Sequence, residues 1–266
     1  LDQFEWIIPR VATTMGDMRS GGRTHARAAA AACGLLLAAV TACSGAPAEI
    51  PSGEIPRHGG PSGAARPDPL EDFTRIPGVG ERLRRQIPAG TRQVVVVYGD
   101  HKDSPNSTLV LYQKRGPLWQ QSGRWPSHNG KRGWTTNHQE GDERSPVGVF
   151  TLSDAGGLLE DPGTRLPYTQ DDEAFVSLYP GDEAHRHDFD YVIAIDYNRV
   201  PGTRPDDPTR PLGRSKGGGI WLHLDHGDGT LGCISVPRTA MEYLLHTLDP
   251  AHKPVIVMGD RATLQL

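Results

Sequence analysis

The stretch Trp221-Leu-His-Leu-Asp-His-Gly-Asp-Gly-Thr-Leu-Gly-Cys233 places two histidines, two aspartates, three glycines and a cysteine within thirteen residues. Three chemistries fit those residue types. Cys233 could be a nucleophile with His223 as its base. A metal could be held by His223, His226, Asp225 or Asp228, and Cys233, all legitimate zinc ligands. The segment could also be a polar turn with a buried structural cysteine. For the first reading the imidazole matters most, because a thiol of ordinary pKa, ~8.5, is only a few per cent thiolate at neutral pH.

The elements around these residues decide which can meet. Leu222-His223-Leu224 reads as the end of a strand and Cys233-Ile234-Ser235 as a short extended piece, with turn formers from Asp225 to Thr230 between them. Antiparallel pairing of the two arms about Asp228 sets His223 opposite Cys233, with Cβ atoms roughly 4.5–5.5 Å apart. A helix entered at Pro237 adds a positive dipole end just beyond the thiol. The backbone N–H groups of Leu231, Gly232 and Cys233 can converge on an acyl oxygen. For the metal, spacing is unfavourable. His223 and His226 point to opposite faces of a strand, and Gly227 and Gly229 argue against a helix. The expectation is no metal and no organic cofactor.

Other clusters carry less. In Asp182-Glu-Ala-His-Arg-His-Asp-Phe-Asp190, His185 and His187 fall on one face of an extended segment, but the segment reads foremost as a solvated charged loop. Trp125, His128, Trp134 and His138 stand among Gly and Asn, where aromatics can line a groove or simply pack.

The protein has 28 basic and 32 acidic side chains in 266 residues, a net charge of -4, so no electrostatic footprint for nucleic acid is present. Four consecutive valines in Gln93–Tyr98 mark a buried strand. Further strands are expected at Thr108–Gln113, Leu118–Ser122, Val147–Leu152, Tyr191–Tyr197, Gly219–Leu224 and Pro254–Met258, with a short helical piece around Val79–Ile87. One convincing helix runs from Pro237 towards Pro250, where Met241, Leu244, Leu245 and Leu248 form an apolar stripe. The fold class is therefore mostly β, sandwich-like or partly barrelled, with one helix in the C-terminal region. Its oligomeric state is not written in the sequence.

From Met18, arginines precede an apolar run from Ala28 to Val40, too short to span a bilayer and matching a secretory signal. Val40-Thr-Ala-Cys43 resembles the lipobox of bacterial lipoproteins, which implies cleavage before Cys43 and its acylation. The expected organisation has four parts. Residues 1–17 precede the translated or mature chain, and residues 18–42 are a lipoprotein-type signal peptide. A Pro/Gly/Ser-rich tether occupies 43–75, and the catalytic domain occupies 76–266. The expected location is extracytoplasmic, lipid-anchored to the cell membrane, or secreted if Cys43 is not acylated. Of the three cysteines, Cys33 lies in the signal and Cys43 at the acylation site, so Cys233 is the single thiol left and an internal disulfide is excluded.

Ile220-Trp-Leu-His223, followed ten positions later by Gly232-Cys233-Ile234, resembles the catalytic motif of the L,D-transpeptidase family. Ser145-Pro-Val-Gly-Val-Phe150 resembles a second element of that family, upstream of the first. The resemblance covers roughly residues 93–260. It implies Cys233 as nucleophile, His223 as general base, the Leu224 carbonyl orienting the imidazole, and Leu231 to Cys233 as the oxyanion-hole backbone. The implied reaction is thiolate attack on the carbonyl between an L-centre and a D-amino acid in a peptidoglycan tetrapeptide stem. D-alanine leaves, and an amine resolves the acyl-enzyme into a cross-link, or water gives a carboxypeptidase. Leu231 and Ser235 stand where the family often has histidine and arginine, and the base-to-nucleophile loop is shorter. The alternatives are a catalytically silent wall-binding lipoprotein of the same fold and, third, a zinc hydrolase using His223, His226 and Cys233.

Overall fold

The run Gln93–Gly99 (β1) is buried along its entire length. Its two faces meet different partners, which is why the sequence is apolar without alternation. Val95 and Val97 enter the main core, whereas Val94, Val96 and Tyr98 enter a second cluster with Ile76, Leu83, Trp119 and Leu264. The computed structural model describes residues 72–266 apart from 178 and 180. The expected leader, Cys43 and nearly all of the expected tether lie outside the described residues.

Ten further strands follow β1 among the described residues: β2 (Asn106–Arg115), β3 (Leu118–His128), β4 (Trp134–Thr135), β5 (Ser145–Pro146), β6 (Gly148–Gly157), β7 (Tyr168–Gln170), β8 (Val192–Ile195), β9 (Trp221–Leu224), β10 (Ile234–Val236) and β11 (Val255–Asp260). The main sheet runs β11-β1-β2-β3-β10-β9-β8-β6-β7, and a further pairing of β11 with β6 brings its two sides together. The result is a mostly β, partly closed barrel, not a sandwich. Closure needs β11 to pair parallel with β1 and antiparallel with β6. The helices are few: α1 (Glu81–Arg84), α2 (Arg238–Thr247) and α3 (Arg261–Leu264). In α2, Ala240, Met241, Leu244 and Leu245 are buried. They pack in the same core cluster as Leu222 and Leu224 of β9 and Ile234 and Val236 of β10.

Most expected strands lie where the sequence places them; β2 gains two residues at each end, and two others run much further. β3 continues from Ser122 to His128 through Gly123 and Pro126, and β6 continues from Leu152 to Gly157. Glycine, proline and acidic residues mask both extensions in the sequence, while pairing to β2 and to β8 enforces them.

The arms of the candidate site are not an antiparallel hairpin. β9 and β10 pair parallel, with Leu222 beside Ile234, His223 beside Ser235 and Leu224 beside Val236. The segment between them is a crossing connection rather than a turn, so a register read by symmetry about Asp228 does not apply.

Candidate functional site

Parallel pairing nevertheless brings the two reactive residue types to one side. Leu222, Leu224, Ile234 and Val236 take the core face. Alternation along each strand then gives His223 and Ser235 the opposite face, and Cys233 precedes Ser235 by two positions. Cys233 and His223 both line one cleft, together with His185, Asp188, His226 and Leu231. A second cleft adjoins at Cys233 and carries Glu140, Asp206, Arg210 and Trp221. Phe189, Leu231 and Cys233 belong to both walls.

His223 is buried, and its Nδ1 donates to the carbonyl of Leu224 at 2.8 Å. A carbonyl can only accept, so the neutral ring carries its lone pair on Nε2. Phe189 stands edge-on to this ring at 5.3 Å between centroids. Burial pushes the His223 pKa down to about 4, against the smaller opposing effects of the Leu224 bond and the Asp188 charge. Burial pushes the Cys233 thiol up to about 11, opposed by the Trp221 N–H and reinforced by Asp188. At neutral pH the resting pair is therefore thiol and imidazole, both uncharged. The thiol engages backbone: Sγ accepts from Trp221 N at 3.4 Å and donates to the Gly219 carbonyl at 3.5 Å. Among the described residues no hydrogen bond joins Sγ to His223.

The loop before Cys233 is tied on three sides. Thr230 Oγ1 donates to the Cys233 carbonyl at 2.7 Å and accepts from Gly232 N at 3.0 Å. Ser145 Oγ, completely buried at the start of β5, donates to the Gly232 carbonyl at 2.7 Å and accepts from Gly130 N at 2.9 Å. Gly232 has φ +141°, and a Cβ there would meet the Arg144 carbonyl at 3.2 Å and Ile220 Cδ1 at 3.3 Å. Of the three backbone donors expected at an oxyanion, that of Gly232 is therefore already occupied by Thr230. Leu231 is 43 % exposed, its side chain facing the clefts.

Ser235 donates to Asp225 Oδ1 at 2.7 Å, and His128 Nδ1 meets the same oxygen at 2.7 Å. Burial works against the Asp225 carboxylate, but these two bonds outweigh it and hold its pKa below the ordinary value. Asp225 and His128 thus form a structural relay beneath β10, not a ligand pair. Trp125 packs at a tilt against Tyr243, Trp134 is buried in the core and borders a separate cleft with Lys102 and Asp260, and His138 lines the second cleft beside Cys233.

The metal set His223, His226 and Cys233 is not assembled. His223 is committed to Leu224 and stacks on His226 with the rings 11° apart at 5.9 Å. Among the described residues the group with ligating spacing is instead His185, Asp188 and His226. The 183–190 segment is therefore no freely solvated loop. Asp188 O accepts from Leu224 N at 2.9 Å, which fastens the segment to the end of β9. That contact turns His185 inward with its side chain 16 % exposed, while His187 remains outside at 62 %. Burial disfavours the Asp188 carboxylate, but bonds from His226 and His185 override it and lower its pKa, and Asp188 in turn raises that of His226. Nothing local in the sequence links position 188 to 223, because the contact is tertiary.

A family model, the L,D-transpeptidase catalytic domain (YkuD), matches residues 78–257. Among curated proteins nothing matches. A solved structure, that of Bdellovibrio bacteriovorus Bd1075, is similar at 19% identity with a TM-score of 0.37, over 64% of this chain and 48% of that one. The chain thus spans about half the length of that protein. Since the family model accounts for well over half of the 266 residues, the chain belongs to the L,D-transpeptidase catalytic-domain (YkuD) family.

Proposed function

We propose that this protein is a cysteine acyltransferase acting on peptidoglycan stem peptides, with Cys233 as nucleophile and His223 as general base. The observation that carries the reading is the shared cleft. His223 and Cys233 stand on one face of the β9–β10 pair, and the Leu224 carbonyl holds the imidazole with Nε2 as the free base. In the first half-reaction Cys233 Sγ turns from the Gly219 carbonyl and gives its proton to His223 Nε2 while it attacks the carbonyl carbon of the L–D peptide bond. The imidazolium then returns that proton to the departing amine, D-alanine leaves and a thioester remains. An acceptor amine attacks the thioester, its proton passes to His223 and on to the thiolate, and the cross-linked product departs; water in place of the amine gives the hydrolysed stem. The backbone N–H groups of Leu231 and Cys233 are the donors assigned to the oxyanion. With a resting pair so far from the ion-pair form, proton transfer accompanies attack rather than preceding it.

Two clefts meeting at Cys233 suit two chains approaching the thioester carbon, one stem in each. Lipidation of Cys43 and export are part of this proposal. They are supported by the basic stretch, the apolar run and the small residues before Cys43, and tested by lipid labelling that disappears in Cys43→Ala. The Gly219 bond of the thiol and the substitution at Leu231 favour a second reading, a wall-binding protein of this fold without turnover. One experiment separates the two. Intact-mass measurement after incubation with a tetrapeptide stem is expected to show an acyl adduct and free D-alanine in wild type. Cys233→Ala should give none, and His223→Ala should be slowed by about 10²–10⁴-fold. Stem binding with neither adduct nor D-alanine in wild type would establish the silent protein instead.

A further inference from the structure

The cleft that holds the thiol and the imidazole also holds a set of ligating side chains that acyl transfer does not use. His185, Asp188 and His226 each offer a ligand atom, and these atoms lie within 4.8 Å of one another. Asp188 Oδ2 is 2.9 Å from His185 Nδ1, and Asp188 Oδ1 is 3.3 Å from His226 Nδ1. The two imidazole rings are 4.3 Å apart. The side chains of Asp188 and His226 are only 8% and 5% exposed.

His226 supplies a second, independent observation. Its Nε2 lies 3.4 Å from the Gly229 carbonyl, so the ring is held from its outer edge. That buried Nδ1 has no hydrogen-bond partner, yet it faces the Asp188 carboxylate oxygen at 3.3 Å. Facing atoms of these two types share a proton in the absence of a metal, and a divalent ion that displaces that proton takes a bond from each.

We propose that His185, Asp188 and His226 form a binding site for a divalent ion of the zinc class, its fourth position open to the cleft shared with Cys233. Metal–ligand bonds of ~2.0–2.2 Å at tetrahedral angles separate the ligand atoms by roughly 3.3–3.5 Å, which the contacts of Asp188 approach on both sides. All three ligand atoms lie within 4.8 Å of one another, and His185 is the least buried of the three. Two imidazoles and one carboxylate suit zinc, nickel or copper and are poor in the oxygen donors that calcium and magnesium demand. The Gly229 carbonyl orients His226 as outer partners of metal-bound histidines do. Such an ion would clamp the 183–190 segment to the β9–β10 connection and place a positive charge beside the thiol. It requires neither Cys233 nor His223 as a ligand and stands apart from the acyl-transfer reading.

The test uses the complete chain, stripped of metal and titrated with Zn²⁺ by calorimetry and with Co²⁺ by absorption spectroscopy. Expected is one ion per chain in wild type and equally in Cys233→Ala, with the visible bands of a four- or five-coordinate cobalt site. His185→Ala and His226→Ala should each weaken binding by about 10–100-fold, and His187→Ala, the exposed neighbour on the same segment, should not. Asp188→Asn, similar in shape, should reproduce the loss and serves if an alanine variant fails to fold. Absence of stoichiometric binding, or binding that vanishes in Cys233→Ala but survives in His185→Ala and His226→Ala, would overturn the assignment.

Discussion

Ser145 Oγ lies 2.7 Å from the carbonyl oxygen of Gly232, so the strand that opens the Ser-Pro-Val-Gly-Val-Phe element holds the residue next to the thiol. Two segments 87 residues apart are thereby fixed to each other inside the protein. Ser145→Ala removes a fully buried donor and leaves the Gly232 carbonyl and the Gly130 N–H each short of a partner. The expected cost is about 1–3 kcal/mol in unfolding free energy. Acylation of Cys233 should slow on the order of tenfold, since the loop loses its register. Unfolding in urea and the rate of adduct formation measure the two, and an unchanged stability would show that water replaces the hydroxyl.

Alkylation of Cys233 reports the charge state of the pair. With burial raising the thiol to about 11 and lowering His223 to about 4, the rate with iodoacetamide should rise steadily with pH through the neutral range and beyond pH 9. A plateau between pH 6 and 8, the signature of a preformed thiolate–imidazolium pair, would contradict the buried neutral site.

The same depression of His223 makes the fold acid-sensitive. The unfolded chain binds a proton at this ring near its ordinary 6.5, whereas the folded chain binds it only near 4. Stability is thus lost as pH falls from 6.5 to 4, by roughly 3 kcal/mol for this group alone. His226 acts with the opposite sign at higher pH, because Asp188 raises it, and its contribution fades as pH climbs above the ordinary histidine value. Urea unfolding from pH 4 to 7 should therefore show a shallower slope in His223→Gln than in wild type. Equal slopes would mean that His223 is accessible to protons in the folded state.

Gly232→Ala combines a backbone penalty with crowding. At φ +141°, with the Arg144 carbonyl and Ile220 beside the missing Cβ, the substitution should cost about 1–3 kcal/mol and lower the melting temperature by several degrees. Leu231→Ala, two positions from the thiol and 43 % exposed, serves as the matched control and should leave the melting temperature nearly unchanged.

Where local chemistry decides structure, the chain was readable. The valines of β1 could only be a strand buried on both faces, and Met241, Leu244, Leu245 and Leu248 could only be the inner stripe of α2. The direction in which β10 lies against β9 was not readable. A nine-residue excursion full of glycine and aspartate permits either direction, and the choice falls to β3 and β8, which flank the pair. Asp188 was invisible as a neighbour of His223 for a related reason: its position comes from a backbone bond to Leu224, made across the fold. Ser145 carried a signal within its motif, but what it holds could not be known before the barrel brought it to Gly232.

β9 is flanked by β10 on one side and β8 on the other, and β10 by β3 and β9. Both strands bearing the reactive face thus lie inside the sheet, with no free edge along which a peptide could add as a further strand. Recognition must therefore be lateral, through groups that project over the rim of the staves. Selectivity can change there by exchanging rim residues, with the wall itself untouched.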